Sequence, residues 1–114
     1  MKTATEKRIA FRNNLKSGKI MIAPGVGDAL GAKIAEMAGI PCLAMGGYSV
    51  SASRLGQPDV GLLSCTEMAE QLTGICNAVD IPVVADGDTG YGNALNIIRT
   101  ERMFEQAGAA CIFF

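Results

Sequence analysis

Two carboxylates stand one residue apart directly after an apolar run. The run covers residues 81–85, and Asp86, Gly87 and Asp88 follow it. Because side chains at positions i and i+2 of a strand project to the same side, Asp86 and Asp88 can converge on one point. At the carboxyl end of a parallel strand, that point is where α/β enzymes bind their ligands. Mg²⁺ suits such a pair, since it prefers oxygen ligands and keeps several of its waters.

The composition is typical of a packed globular chain. Of the 114 residues, 49% are apolar, and the formal net charge is -1. This balance favours a folded core over disorder and gives no reason to expect nucleic acid or an anionic membrane as a partner. No apolar run approaches the roughly 20 residues of a membrane span, and the basic N-terminus lacks the apolar core of a signal peptide. We therefore expect a cytoplasmic protein.

The four cysteines are not spaced as a metal site. Cys42, Cys65, Cys76 and Cys111 form no Cys-x-x-Cys pair, and the sequence contains no histidine. A zinc site with histidine ligands and a histidine-based catalytic triad are thus excluded within this chain. We expect reduced thiols that pack as small apolar side chains.

Helix-like and strand-like segments alternate along the chain. The predicted elements are helix 6–15, strand 19–23, helix 28–39, strand 41–45, a loop with a possible short helix over 46–59, helix 64–79, strand 81–85, helix 93–107 and strand 109–114. Pro24 and Gly25 are expected to close the first strand, and Asp28 to cap the following helix. In the last helix, Leu95, Ile98 and Phe104 are expected to share one side. The continuous apolar strands predict a parallel sheet buried on both faces.

Right-handed crossovers place all strand-to-helix loops at one end of such a sheet. The loops 25–28, 46–59 and 86–93 hold most of the glycines and the carboxylates of interest. Residue 114 falls inside the most apolar strand, which leaves an open sheet edge. A closed α/β barrel typically needs about 250 residues, so we expect the first part of a larger domain.

Four segments resemble the isocitrate lyase/phosphoenolpyruvate mutase superfamily, especially its 2-methylisocitrate lyase-like, dimethylmalate lyase-like and oxaloacetate decarboxylase-like branches. They are residues 23–29, 47–53, 55–59 (Leu-Gly-Gln-Pro-Asp) and 85–93 (Ala-Asp-Gly-Asp-Thr-Gly-Tyr-Gly-Asn). Their order and spacing fit the family. The resemblance implies an α/β fold in which residues 1–114 supply roughly the first four βα units of a TIM-type (β/α)8 barrel, left incomplete.

The resemblance also implies a cofactor and ligands for it. Members bind Mg²⁺, with Mn²⁺ as a possible substitute, through carboxylates and mostly water. Asp86 and Asp88 match the metal-site aspartates, and Asp86 lies within reach of the substrate as well. Asp59 matches a further carboxylate of the metal's outer shell, which we group with the catalytic residues.

A second set of matched residues would hold the substrate, a small carboxylic acid. Ala44, Gly46 and Gly47 match the family segment that contacts the substrate's carboxylate and carbonyl, with the amides near Gly46 and Gly47 as catalytic hydrogen-bond donors. Ala44 stands where a phenol is usual, and Gly46 where a hydroxyl is usual. The family's next acidic ligand, its mobile lid and a later arginine would all follow Phe114.

The resemblance implies a Mg²⁺-dependent carbon-carbon lyase or decarboxylase that acts on small 2-oxo or 2-hydroxy acids through an enolate. Our main hypothesis is a portion of such an enzyme, with a weak metal site and little or no turnover alone. Two alternatives stay open: a non-catalytic remnant that pairs with another half-barrel or a full-length homologue, and a phosphonate-forming mutase. Full-length members are expected to be homo-oligomers.

Each site assignment also has a purely structural interpretation. Asp86-Gly87-Asp88 is compatible with a polar turn after a strand, because Asp-Gly is a common turn pair. Asp59 is compatible with a residue at a turn or helix start, and Gly46-Gly47 with the end of a strand.

Overall fold

Four parallel strands form one sheet, ordered β1-β2-β3-β4 as in the chain. A computed structural model describes residues 1–114. Its elements are α1 Ala4–Lys16, β1 Gly25–Val26, α2 Ala29–Met37, β2 Leu43–Met45, α3 Gly47–Leu55, α4 Cys65–Ala78, β3 Val83–Asp86, α5 Ala94–Gln106 and β4 Cys111–Phe113. The prediction of an α/β chain with a parallel sheet is confirmed, and the four strands with their helices are consistent with part of a barrel. None of the helices has both the length and the apolar run needed to cross a bilayer.

The two faces of the sheet differ in burial. One face presents Leu43, Met45, Val83 and Ala85, all at most 1% exposed, to the helices. Because strand residues alternate between faces, Ala44, Val84 and Asp86 lie on the other face, and all three are only partly buried. The expectation of a sheet buried on both faces is therefore wrong for this chain, whose helices cover one face.

The strand predicted over 19–23 is also wrong. The first strand is Gly25–Val26, so Pro24 and Gly25 do not close a strand. The earlier segment contains Ile20 and Ile22, which are 96% and 72% exposed. The ladder to β2 begins only where the Ala44 N–H donates to the Pro24 carbonyl at 3.0 Å. The apolar run at 20–22 lies at a sheet edge, where it has no neighbouring strand to bond.

The segment 46–59, predicted as a loop with a possible short helix, contains one helix, α3, over Gly47–Leu55. Gly46 is its N-cap, and Gly56, with a left-handed φ of 63°, ends it. Val50 and Ser51 are its buried residues, so only a narrow side of α3 faces the core. A sequence of serines, alanine and glycines with so few apolar residues gives little helical periodicity, which explains why the predicted short helix had no definite bounds.

Side-chain caps begin the other helices. Asp28 caps α2 as predicted: its Oδ1 accepts from the Gly31 N–H at 2.7 Å, and its Oδ2 accepts from the Ser53 hydroxyl at 2.7 Å. Both bonds favour the charged carboxylate and lower the pKa of Asp28, the Gly31 bond more strongly. The predicted capping box of Ser64 and Glu67 also forms.

The buried side of α5 differs from the one predicted. Phe104 is fully buried, but Leu95 and Ile98 are 76% and 50% exposed. Thr100, which is 2% exposed, lies one turn before Phe104 and occupies the inward position instead. A hydroxyl on the inner side of a helix breaks the apolar pattern on which the prediction depended.

Helix α1 is attached to the ends of two other helices by its basic side chains. Lys7 is only 5% exposed, and its ammonium group donates to the carbonyls of Cys76 and Val79 at 2.7 and 2.5 Å. Arg8 donates to the carbonyls of Glu105 and Ala109 at 2.6 and 3.0 Å. The carbonyls of Cys76, Val79 and Glu105 lie at the C-terminal ends of α4 and α5, where cations are favoured and the last carbonyls lack helical partners. That of Ala109 lies in the connection from α5 to β4.

Replacing Lys7 by methionine should destabilise the fold. The variant keeps the length of the side chain but leaves the carbonyls of Cys76 and Val79 without a donor, at a cost of about 1–3 kcal/mol. Urea unfolding would measure the free energy of unfolding, with Lys16→Met as the control, because Lys16 is exposed on the same helix. Equal stability losses in the two variants would contradict this role for Lys7.

Candidate metal and substrate site

The Asp86 carboxylate connects the ends of two adjacent strands. The Gly47 N–H, just after β2, donates to its Oδ2 at 3.2 Å, and the Asp88 N–H, just after β3, donates to its Oδ1 at 2.8 Å. A carboxylate has about four acceptor positions, so both oxygens keep capacity for a ligand. The two amides fix the orientation of the carboxylate and leave each oxygen able to accept a further bond.

Asp86 borders a small cavity at the carboxyl end of the sheet. The cavity has a volume of about 60 Å³. Since a buried water needs roughly 10–15 Å³ of such volume, an ion with some of its waters fits. Its lining residues come from the segments after β2 and β3, from α3, from the α3–α4 connection and from α4: Gly47, Ser51, Asp59, Gly61, Leu62, Leu63, Met68, Asp86, Asp88 and Tyr91.

Asp59 is held close to Gly47. A Cβ added to Gly47 would stand 3.1 Å from Asp59 Oδ2 and 3.3 Å from Oδ1, so the carboxylate lies almost against the glycine backbone. The segment before it is fixed by Ser51, which is 2% exposed and donates its hydroxyl to the Pro58 carbonyl at 3.0 Å. Helix α3 thus positions Asp59, which follows it by four residues.

Asp88 reaches the cavity by a turn and not by strand alternation. Strand β3 ends at Asp86, and Asp88 is exposed, with a left-handed φ of 52°. The i and i+2 argument therefore does not apply to it, although both aspartates line the same cavity. The bond from the Asp88 N–H to Asp86, together with one from the Gly90 N–H to the Gly87 carbonyl at 2.9 Å, shapes this turn.

Tyr91 closes one side of the cavity. It is half-buried and has a left-handed φ of 60°. Burial raises the pKa of its hydroxyl well above the usual value, and the nearby carboxylates, Asp88 first among them, raise it further. The phenol thus stays protonated at neutral pH, as a tyrosine ordinarily does.

The cavity has three carboxylates and no basic side chain. No lysine or arginine lines it, and the two ion pairs of the chain, Lys33–Glu36 and Arg54–Glu70, do not involve Asp59, Asp86 or Asp88. Like charges that share a small space repel one another, and a bound cation would relieve that repulsion. The uncompensated charge is the main electrostatic feature of the site.

The donor set fits Mg²⁺ in a water-rich arrangement. The available donors are carboxylate oxygens, which hard cations prefer. No three histidine, cysteine, aspartate or glutamate side chains approach closely enough to share one ion. Mg²⁺ is commonly held by one or two carboxylates while it keeps several waters. Asp86, which is oriented by two amides, can therefore serve as the direct ligand, with Asp88 and Asp59 within reach of the waters.

The structure brings four of the six predicted site residues to the cavity: Gly47, Asp59, Asp86 and Asp88. Ala44 and Gly46 do not line it. Ala44 lies in β2 opposite Val84 of β3, on the same sheet face as Asp86. Gly46 is the N-cap of α3 and supplies no side-chain hydrogen bond to the helix.

One predicted role changes. The Gly47 N–H was expected to face the substrate, but it donates to Asp86. Because α3 begins without a side-chain cap, the following amides of its first turn lack a partner of that kind. These amides, and not that of Gly47, are the ones suited to an anionic ligand.

Several lining residues were missed by the sequence analysis. Ser51 lies in the matched segment 47–53, in the region predicted as a loop with a possible short helix, but it was not assigned to the site. The wall formed by Leu62, Leu63 and Met68 belongs to no motif. Tyr91 lies inside the glycine-rich segment 85–93, so its position in that motif is the one signal that could have marked it.

Comparisons with known proteins identify relatives of the chain. The family model described as phosphoenolpyruvate phosphomutase matches residues 11–114. The chain is 50% identical over 102 residues to the 2,3-dimethylmalate lyase of Eubacterium barkeri, covering 90% of the chain and 35% of the relative. It is 42% identical over 104 residues to the oxaloacetate decarboxylase of Bradyrhizobium sp. (strain ORS 278), covering 91% and 36%.

A solved structure gives the same match in three dimensions. The phosphonopyruvate hydrolase complex with oxalate and Mg²⁺ superposes with a TM-score of 0.89 at 39% identity, covering 93% of this chain and 37% of that one. The chain thus spans about a third of the length of its relatives and corresponds to their N-terminal portion. With a family model that matches nearly its whole length, the chain belongs to the phosphoenolpyruvate phosphomutase family.

Proposed function

We propose that this chain is a portion of a Mg²⁺-dependent carbon-carbon lyase or decarboxylase that acts on small 2-oxo or 2-hydroxy carboxylic acids. The observation that carries the proposal is the Asp86 carboxylate, aimed by two amides at a cavity that holds Asp59 and Asp88 but no basic side chain. Two relatives named above are a lyase and a decarboxylase of small acids. A related hydrolase structure contains oxalate and Mg²⁺.

The residues of the chain would divide the work as follows. Asp86 would bind the ion directly, and Asp88 and Asp59 would accept hydrogen bonds from its waters. When bound, the ion would supply Lewis-acid stabilisation of negative charge on a substrate oxygen, which is worth several kcal/mol. The free amides at the start of α3 would hold the substrate carboxylate. Gly46, as the N-cap, and Ala44, on the sheet face below it, would leave room for the substrate.

The complete activity would need the rest of a barrel. The sheet has apolar residues at both edges, Ile20 and Ile22 beside β1 and Phe113 and Phe114 at β4, and all are at least 50% exposed. Further βα units that close a (β/α)8 barrel would cover these edges and complete the site. A cytoplasmic location and a homo-oligomeric full-length enzyme stay predictions.

The same exposed edges favour a second candidate, a non-catalytic half-barrel that pairs with another half or with a full-length homologue. Here the covering strands would come from a separate polypeptide. Measuring the size of the chain with and without a separately expressed C-terminal half would distinguish the two; a stable monomer in both cases would contradict pairing. Phosphonate chemistry remains a further alternative, since the matching family model carries that name.

Replacing Asp86 by asparagine should weaken divalent-ion binding. Losing a directly bound carboxylate should cost at least the roughly 10–100-fold in affinity that is typical for the supporting residues of metal sites. Mn²⁺ would be titrated and followed by electron paramagnetic resonance. Asp80→Asn is the matched control, because Asp80 lies away from the cavity and accepts a hydrogen bond from the Lys2 N–H. Unchanged Mn²⁺ affinity in Asp86→Asn would rule out its role as a ligand.

Replacing Gly47 by alanine should disturb the site, whereas the same change at its neighbour should not. The new methyl group of Gly47→Ala would press on the Asp59 carboxylate at 3.1 Å, but a methyl on Gly46 would meet nothing within 4 Å. We expect a several-fold loss of Mn²⁺ affinity for Gly47→Ala and a change of less than twofold for Gly46→Ala. Equal affinities would show that Asp59 takes no part in holding the ion.

Turnover should require both this chain and the remainder of a barrel. Pyruvate release would be measured from oxaloacetate, 2,3-dimethylmalate and 2-methylisocitrate in the presence of Mg²⁺. We expect little or none from residues 1–114 alone. A chimera in which this segment replaces the matching part of the Eubacterium barkeri lyase should release pyruvate, and Asp86→Asn should abolish it.

Two results of this assay would contradict the proposal. Robust, Asp86-dependent turnover by residues 1–114 alone would show that no further segment is required. A folded chimera that binds Mn²⁺ but acts on none of the three acids would contradict the lyase assignment.

A further inference from the structure

We propose that Thr100 is a positioning residue for the aspartate loop, defined here as residues 86–92. Thr100 lies on α5, ten residues beyond Gly90, and does not line the cavity. Its hydroxyl donates to the Gly90 carbonyl at 2.9 Å. The inference rests on the proposed function only in that the loop it holds carries the carboxylates of the metal site.

The loop needs an external restraint because its backbone is unfavourable. Asp88 and Tyr91 have φ values of 52° and 60°, a region that costs a residue with a side chain roughly 1–2 kcal/mol. Gly90 lies between them with a φ of 89°. Bonds within the loop come only from the Asp88 and Gly90 amides. The Thr100 hydroxyl is the side-chain donor that fastens this strained segment to a helix.

Gly90 is pressed against α5 at the same place. A Cβ added to it would collide with the side chain of Ile97, so only glycine permits this approach. Ile97 and Thr100 are three residues apart, on neighbouring positions of one helix side. The loop backbone therefore packs against α5. Ile97 makes the van der Waals contact, and the Thr100 hydrogen bond fixes the orientation of the Gly90 carbonyl.

The Thr100 hydroxyl has a single proton, and this determines which group donates in its contact with Cys65. Since the Gly90 carbonyl can only accept, the Thr100 proton is used there. The Cys65 Sγ lies 3.5 Å from Thr100 Oγ1, so in this contact the Cys65 thiol donates and Thr100 accepts. The chain of donors runs from the first residue of α4, through α5, to the loop. Thr100 is 2% exposed, so water does not substitute for either partner.

The bond also explains an exception in the core. Thr100, Ser51 and Lys7 are the only buried residues with polar or charged side chains. A helix that only needed to fill space would place an apolar residue at position 100. The hydroxyl is retained where a main-chain carbonyl next to Tyr91 would otherwise be buried without a donor, which costs about 1–3 kcal/mol.

The test compares Thr100→Val with Thr100→Ser and Thr73→Val in the full chain. Valine keeps the shape and removes the hydroxyl, and serine keeps the hydroxyl. Thr73 is the matched control because its exposed hydroxyl bonds to the Ala69 carbonyl of its own helix. The readouts are amide hydrogen exchange of Asp88 and Gly90 by nuclear magnetic resonance, and Mn²⁺ affinity.

For Thr100→Val we expect exchange at Asp88 and Gly90 to speed up about tenfold, as loss of one buried hydrogen bond implies, and Mn²⁺ affinity to fall several-fold. Thr100→Ser should retain both properties, and Thr73→Val should change neither. Loop exchange at the wild-type rate in Thr100→Val would overturn the inference. So would an equal loss of protection throughout the sheet, which would mark Thr100 as a general core residue. If the wild-type chain binds no Mn²⁺, the proposed role of Asp86 as a metal ligand in this chain fails, while the exchange data still decide the role of Thr100.

Discussion

The candidate site depends on one carboxylate that accepts hydrogen bonds from two separate loops. Asp86 can accept from the Gly47 N–H only because β2 and β3 are neighbours in the sheet, paired from Leu43 opposite Val83 to Met45 opposite Ala85. This register brings the residues after each strand to the same level. A second bond, from the Asp88 N–H, turns the chain sharply after β3. The bonds thus set both the direction of Asp86 and the start of the loop that carries Asp88.

The buried polar side chains of the protein all make the same kind of hydrogen bond. Each of the three buried polar or charged side chains, Lys7, Ser51 and Thr100, donates to a main-chain carbonyl. Lys7 closes the end of α4, Ser51 holds the segment before Asp59, and Thr100 holds the segment before Tyr91. No buried side-chain nitrogen or oxygen lacks a partner. Unpaired buried polar groups are costly. The Ser51 and Thr100 bonds fasten the two acidic loops to helices α3 and α5, whereas the Lys7 bonds hold α1 against the end of α4.

The sequence predicted what depends on local patterns and failed where long-range contacts decide. Strands β2 and β4 lie within the predicted apolar runs, and β3 extends one residue beyond its predicted run, to Asp86. The cap at Asp28 follows from one side chain and the start of a helix. Helix α3 was predicted only as a possible short helix within a loop, because Ser51 and its polar neighbours give no apolar period. A bond from Ser51 to the Pro58 carbonyl stabilises its inner side. The predicted apolar side of α5 was wrong because Thr100 faces inward, where its hydroxyl donates to the Gly90 carbonyl. No spacing rule contains that information.

The site residues divide in the same way. Asp59, Asp86 and Asp88 were selected by motif, and they line one cavity. That the Gly47 amide serves Asp86 and not a ligand follows from the register of two strands that are distant in sequence. The packing role predicted for the cysteines depends on local apolar runs and agrees with the burial of Cys42 and Cys76. Desolvation raises the pKa of both thiols to about 11.

The most direct test of the account is a crystal structure of the protein soaked with Mn²⁺, with the ion located by its anomalous scattering. The account predicts a peak inside the cavity between Gly47, Asp59 and Asp86, bonded to the Asp86 carboxylate and surrounded mainly by water. A cavity without a peak at saturating Mn²⁺, or an ion bound elsewhere while Asp86 contacts only the two amides, would contradict it.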